Sequence, residues 1–302
     1  MTQLDAPHHH RTLYPGGPLV SSLAWGMWRF KGQDVSQARS RVQAALDAGV
    51  TLFDTADIYG FGDGGGFGAA EALFGEVLAS TPGLAAKMVI ATKGGIIPGV
   101  PYDSSATYLA SAVDASLTRL RLDHVALWQI HRPDILTHPA EIARALEAAH
   151  AAGKIGAVGV SNYTPAQVEA LAAFLSLPLV SCQPEFSPLA IGPLSDGVLD
   201  QAIRRDMAVL AWSPLGGGRL AAPTTPREAA VVAALQSVAE RFAVSVSAAA
   251  YSWIMAHPAR PIPIVGTQSL DRIAEIPQAY KPRWTRADWY AVLEAAMGAR
   301  LP

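Results

Sequence analysis

The sequence predicts an α/β fold, a (β/α)8 TIM barrel with an N-terminal hairpin, and two observations carry that prediction. Short apolar or β-branched runs alternate with longer runs of helical periodicity about eight times, the pattern of parallel strands joined by crossover helices. The 302 residues, half of them hydrophobic, suit one such barrel, whose typical length is about 250 residues. No linker or low-complexity stretch divides the chain, so residues 13–302 read as a single domain behind a disordered or solvated tail over residues 1–12.

The tail carries Asp5, His8, His9, His10 and Arg11 and lacks the apolar run of a secretory signal. Leu13 to Val20 then holds Pro15, Gly16, Gly17 and Pro18 between apolar pieces, as a hairpin closing one barrel end would. Ser21 to Trp25 is strand-like, and Val35 to Ala48 carries Val42, Ala45 and Leu46 at helical spacing. The second strand, Leu52 and Phe53, stops at Asp54, and Tyr59 follows five residues later on a glycine-bounded loop. Ala69 to Leu78 is the next helix. Met88 to Thr92 is a strand ending at Lys93, followed by a glycine-rich run and the helix Ala106 to Leu120.

Val125 to Ile130 is the fourth strand, ending at His131, with Pro139 to His150 as its helix. Ile155 to Val160 pairs with the helix Pro165 to Phe174, and Leu179 to Cys182 leads through Gln183 to the helix Asp196 to Arg205. Ala208 to Ala211 precedes a long helical region, Arg227 to Ala256, with a break expected near Val244. Pro263 to Val265 and Leu270 to Ile276 make the last pair.

Composition removes several functions. The 23 Lys and Arg residues balance 25 Asp and Glu residues without a basic run, so nucleic acid is not an expected partner. Phe242 to Ala259, the longest stretch without Asp, Glu, Lys or Arg, is interrupted by Ser245, Ser247, Ser252, His257 and Pro258, unlike a membrane span. Cys182 is the only cysteine, which excludes an internal disulfide and fits a cytoplasmic compartment. The histidines are scattered or in the tail, so no metal is expected, and without long heptads the chain reads as a monomer.

Barrel enzymes build their sites from the loops after the strands. Asp54, Tyr59, Lys93 and His131 all fall there, after three successive strands, so neighbouring strands deliver them to one mouth. A phenol is a poor acid-base catalyst at neutral pH unless its anion is stabilised. An ammonium at Lys93 would lower the Tyr59 pKa, Asp54 would keep Lys93 charged, and His131 would donate to a substrate carbonyl oxygen. These residues hold no nucleophile for the carbonyl carbon, and a hydride from a bound nicotinamide supplies one.

The chain resembles the aldo-keto reductase family. The match lies in Asp54-Thr55-Ala56-Asp57-Ile58-Tyr59-Gly60, in Lys93 of Ala-Thr-Lys, in His131 of Ile-His-Arg-Pro-Asp, in Gly153 to Asn162, and in Trp212-Ser213-Pro214-Leu215-Gly216. It extends from about Leu19 to Ala279, and five ordered motifs make it specific. The resemblance implies a barrel that binds NADPH in extended form without a Rossmann domain and reduces an aldehyde or ketone. Carried over, Tyr59 is the general acid, Lys93 and Asp54 tune it, and His131 orients the carbonyl.

Ser161, Asn162 and Gln183 are implied to hold the nicotinamide carboxamide, and Trp212 to stack beneath the ring where many members have tyrosine. Gly26, Met27 and Trp28 match the loop lining the nicotinamide and substrate pocket, while Trp25 reads as a packing residue. Ser213, Pro214, Leu215 and Gly217 belong to the expected cofactor segment. So do Gly266, Thr267, Gln268 and Arg272, in the stretch that meets the adenosine 2′-phosphate, although Gly266 stands where many members place a lysine.

Glycine-rich residues 61–67 read as a mobile edge of the substrate mouth, and the few charges in the surrounding loops favour uncharged or apolar carbonyls. Two other readings stay open from the residues alone. One is a nicotinamide-binding sensor or regulatory subunit with little turnover. The other is a barrel lyase using Lys93 for a Schiff base.

Overall fold

The computed structural model describes residues 3–302. Two antiparallel strands come first, β1 (His10–Thr12) and β2 (Leu19–Ser21), with Arg11 opposite Val20. They confirm a hairpin whose first strand falls within residues 1–12, the stretch expected as a disordered or solvated tail. His10 to Thr12 are strand, Leu4 donates its amide to the Trp284 carbonyl at 2.8 Å, and the His9 ring stacks on Tyr280 at 4.1 Å. These partners lie far along the chain, so the polar composition of the segment does not reveal them. Met1 and Thr2 of the expected tail lie outside the described residues.

The barrel strands and helices then follow in order: β3 (Ala24–Gly26), α1 (Val35–Asp47), β4 (Leu52–Asp54), α2 (Ala69–Ala79), β5 (Val89–Gly94), α3 (Ala106–Leu120), β6 (Leu127–Ile130), α4 (Pro139–Ala151), β7 (Val158–Ser161) and α5 (Pro165–Ala172). The second half holds β8 (Leu179–Gln183), α6 (Val198–Arg205), β9 (Ala208–Ala211), α7 (Pro226–Phe242), α8 (Val246–Met255), β10 (Ile262–Val265), α9 (Leu270–Ala274) and α10 (Arg286–Met297). The eight strands from β3 to β10 run parallel in sequence order, and β10 closes the barrel on β3.

Alternation along each strand sorts its side chains. Ala24, Leu52, Ala91, Leu127, Ala208, Leu210 and Ile262 form a buried layer inside the barrel with Leu13 and Val20 of the hairpin, which therefore stoppers the N-terminal end. Their strand neighbours Trp25, Phe53 and Ile90 belong to the larger outer core between strands and helices. Trp25 meets Phe53 edge-on at 5.7 Å, consistent with its reading as a packing residue.

Local signals explain the helix ends. Thr225 and Glu228 form a reciprocal capping box at the start of α7, with Pro226 in the first turn. The expected break near Val244 is real: Ala243 adopts φ +50, Ser245 caps α8, and the two helices are bent by 97°. The expected helix through Ile276 stops at Ala274, and Ile276–Tyr280 form a 3-10 turn containing Pro277. Helix α10 was not expected; Trp289, Val292 and Ala296 bury one face, and a Thr285–Asp288 capping box starts it. Among the described residues no single helix is long and apolar enough to cross a membrane.

Candidate active site

The polar site follows from the same two-residue alternation. Two positions beyond inward-facing Leu52, Ala91, Leu127 and Leu210 stand Asp54, Lys93, Gln129 and Trp212, so a polar layer lies on the apolar one at the C-terminal end. Gly159 is required where β7 passes β8, since a Cβ there would stand 2.0 Å from the Ser181 hydroxyl. Gly26 is required for a similar reason, with Ile264 2.5 Å from the Cβ it lacks.

Lys93 is fully buried, and its ammonium donates to Asp54 Oδ2 at 2.6 Å and to the Thr55 carbonyl at 2.8 Å. Gln183 Nε2 donates to Asp54 Oδ1 at 2.9 Å. Both carboxylate oxygens are thereby engaged. The ammonium also lies 4.9 Å from the centre of the Tyr59 ring, which is held edge-on between Trp28 at 5.1 Å and His131 at 5.7 Å.

Burial works against the charge on Lys93, but Asp54 and Tyr59 outweigh it and raise its pKa. Burial also raises Tyr59; Lys93 acts to lower it and Asp54 to raise it further. The sequence expectation of a lowered phenol is therefore corrected: Lys93 supplies the opposing charge, yet desolvation dominates and Tyr59 stays protonated at neutral pH. His131 is held well below its ordinary value by burial and by the charges of Lys93 and Arg132. Its imidazole is neutral, and its Nδ1 has no hydrogen-bond partner among the described residues.

A second string of hydrogen bonds fixes the opposite wall. The Ser161 hydroxyl donates to the Gln183 carbonyl at 2.9 Å, Asn162 Nδ2 donates to Ser161 Oγ at 2.8 Å, and Trp212 Nε1 donates to Asn162 Oδ1 at 3.0 Å. Asn162 adopts φ +60, a left-handed conformation that asparagine tolerates better than most residues. The indole plane is thus tied to the strand ends on either side.

These groups border one cavity of about 1050 Å³, lined by Gly26, Trp28, Asp54, Tyr59, His131, Ser161, Asn162, Gln183, Trp212, Ser213, Pro214, Leu215, Gly217, Gly266, Thr267, Gln268 and Arg272. Two sequence candidates stand apart from the lining. Lys93 lies beneath the surface, paired with Asp54 of the lining. Met27 has its side chain in the hydrophobic core and meets the site only through its amide, which donates to the Asp54 carbonyl at 2.9 Å. It is excluded from the lining because its side chain packs into the outer core between strands and helices.

The sequence reading missed two cations in the lining, Arg29 and Arg132. The Arg132 guanidinium lies 5.8 Å from the Trp212 ring, and among the described residues it has no carboxylate partner. The one available signal was its place directly after His131. Arg29 was obscured by its position in a loop, three residues after Gly26.

Residues 22–296 match the model of the Aldo/keto reductase family. The chain belongs to that family. This reductase is 55% identical to the 6-dehydroglucose reductase of Novosphingobium aromaticivorans over 100% of both chains. It is 37% identical to the 6-dehydroglucose reductase of Agrobacterium fabrum, with 92% of this chain and 95% of that one covered. The glycerol dehydrogenase of Gluconobacter oxydans shares its fold with a TM-score of 0.82 at 26% identity, covering 99% of this chain and 97% of that structure. The reductase is therefore a nicotinamide-dependent oxidoreductase that acts on small carbonyl compounds.

Behind the site of the reductase lies a buried acidic group that the motif reading passed over. Asp57 is fully buried, accepts from the Tyr108 hydroxyl at 3.2 Å through Oδ2, and leaves Oδ1 without a partner among the described residues. Burial and the nearby charge of Glu71 push its carboxyl up to about 7. Its unfolded value is about 4. Between these values the folded protein keeps a proton that the unfolded chain releases, so folding stability falls as pH rises through this window. The penalty is complete above about pH 7.

Asp57→Asn removes this titration and keeps a partner for Tyr108. Urea unfolding is expected to show the wild type losing about 1 kcal/mol more than the variant between pH 6 and pH 8. Parallel pH profiles would rule out the raised carboxyl.

Proposed function

We propose that the reductase uses NADPH to reduce the aldehyde of a hydroxylated sugar of the 6-dehydroglucose kind, with Tyr59 as the proton donor. The observation that carries this reading is the buried Lys93–Asp54 pair under a phenol that opens on the cavity. The 55% identity to a 6-dehydroglucose reductase supports the substrate class.

The residues present fit a nicotinamide dinucleotide. Trp212 offers a flat face, Asn162 and Gln183 offer amides, and Gln268 Oε1, in the lining of the same cavity, is buried without a partner among the described residues. Gly266 leaves room beside the Arg29 guanidinium, whose Nη1 would lie 3.6 Å from a Cβ at that position. Arg29 and Arg272 thus put two cations near the end of β10, where they would hold the 2′-phosphate and favour NADPH over NADH. When bound, the nicotinamide supplies hydride to the carbonyl carbon. Tyr59 gives its proton to the carbonyl oxygen, Lys93 stabilises the phenolate left behind, and neutral His131 holds the oxygen in line by a hydrogen bond.

The sequence reading is narrowed at two points. The expected preference for uncharged or apolar carbonyls rested on the loops; Arg132 brings five donors to the mouth and narrows it from the apolar to the uncharged, hydroxyl-rich side. A Schiff base at Lys93 requires a free neutral amine, whereas this one is buried, raised in pKa and twice hydrogen-bonded. A sole free cysteine, buried Cys182, agrees with a cytoplasmic enzyme, and we take it to act as a monomer.

Steady-state reduction of 6-dehydroglucose with NADPH tests the reading. Arg132→Met is expected to raise KM for the sugar aldehyde about tenfold and to change KM for benzaldehyde little. Arg272→Ala is expected to raise KM for NADPH about tenfold while sparing NADH. Equal use of both nucleotides by the wild type would contradict the cofactor preference, and no turnover with the sugar aldehyde would contradict the substrate class.

A further inference from the structure

A second cavity, of about 700 Å³, opens at the other end of the barrel. Its walls come from residues 3–8, from Arg11 of β1, from the turn between α8 and β10, and from the start of α10. Arg11, Arg260 and Arg286 enter it together with His8 and His257, against one carboxylate, Asp5. None of the three guanidiniums has an ion pair among the described residues.

The cations are brought together by structure beyond mere surface composition. Arg11 Nη1 donates to the Arg260 carbonyl at 2.6 Å, so two like charges are tethered at one rim. Arg260 adopts φ +46, a left-handed conformation uncommon for a non-glycine residue. Burial and the charge of Arg260 both disfavour the charged form of Arg11, and Asp206 only partly opposes them. Beneath this rim, Trp289 and Tyr290 meet edge to face at 5.4 Å, and Pro258 and Pro261 add apolar wall.

We propose that this cavity is a second ligand site, at the end of the barrel opposite the catalytic cavity, for a small phosphate-bearing molecule. Planar guanidiniums pair with phosphate oxygens through two parallel hydrogen bonds, and three of them match a group with three or more free oxygens. The volume exceeds what a lone phosphate fills, and the aromatic floor accepts the organic portion of a phosphate ester. Such an anion relieves the repulsion between Arg11 and Arg260 and gives Arg286 a partner.

Calorimetric titration with inorganic pyrophosphate tests the site. The wild type is expected to show a saturable binding event that persists in Arg272→Ala, which alters the catalytic cavity. Arg260→Ser with Arg286→Ser is expected to weaken this event at least about tenfold, with an unchanged Tm in anion-free buffer and unchanged carbonyl reduction. Both substitutions are at exposed side chains, so the fold tolerates them. Pyrophosphate binding that is lost in Arg272→Ala but kept in the double variant would overturn the proposal, as would no saturable binding at millimolar pyrophosphate. Citrate binding in place of pyrophosphate, with the same dependence on Arg260 and Arg286, would overturn the phosphate assignment.

Discussion

Tyr59→Phe is expected to lower turnover of the sugar aldehyde about a hundred- to ten-thousandfold, the usual range for removing a positioned general acid. The ring remains between Trp28 and His131, so packing is kept and only the proton is removed. Affinity for NADPH, followed by quenching of tryptophan fluorescence, is expected to change little. Because burial holds the phenol protonated, the wild-type rate should stay level from neutral to mildly alkaline pH with no Tyr59 inflection there. Near-normal turnover by the variant would remove Tyr59 from the acid role. Lost nucleotide affinity would instead assign it to binding.

Lys93→Met is expected to have the largest effect on stability. It leaves Asp54 buried with only the neutral amides of Gln183 and, at 3.5 Å, Gln129 for a charge that previously also met an ammonium at 2.6 Å. Breaking a buried pair from one side costs about 3–5 kcal/mol, more than the pair itself contributes, because the remaining charge keeps its desolvation penalty. The double variant Asp54→Asn with Lys93→Met removes that charge, so urea unfolding should show it to be more stable than Lys93→Met alone. A double variant as unstable as the sum of the two single changes would show that the groups act independently. Both variants are expected to lose most activity, since Tyr59 then lacks the cation that stabilises its anion.

Much of this arrangement could be read from strand alternation. Leu52 and Asp54, or Ala91 and Lys93, are two apart, so an apolar inward position places the next inward residue in the polar layer. That local rule identifies strand exits and brings Asp54, Tyr59 and His131 to one cavity with Lys93 directly beneath it. It does not specify the sign of the Tyr59 shift, which depends on how much packing surrounds the phenol. Nor does it reveal Arg132 as a solitary cation, because that requires knowing that no carboxylate from another loop reaches it.

The segments read least well are those whose partners are distant. His9 gains its place from Tyr280, and Leu4 from Trp284, contacts that no local pattern encodes. Helix α10 carries Trp289, Val292 and Ala296 on its buried face, but the repeated unit has already closed with β10, so barrel counting does not call for it. The N-terminal residues and α10 together enclose the second cavity, which explains why its cationic lining is invisible to a motif search.

The central claim is hydride delivery to a carbonyl whose oxygen is protonated from Tyr59. The direct measurement is reduction of 6-dehydroglucose with NADPH carrying deuterium at the transferable position, followed by mass analysis of the alcohol product. One deuterium at the former carbonyl carbon in the wild type, with formation of the labelled product strongly reduced in Tyr59→Phe, is the predicted result. An unlabelled product, or a borohydride-trapped adduct on Lys93, would contradict it.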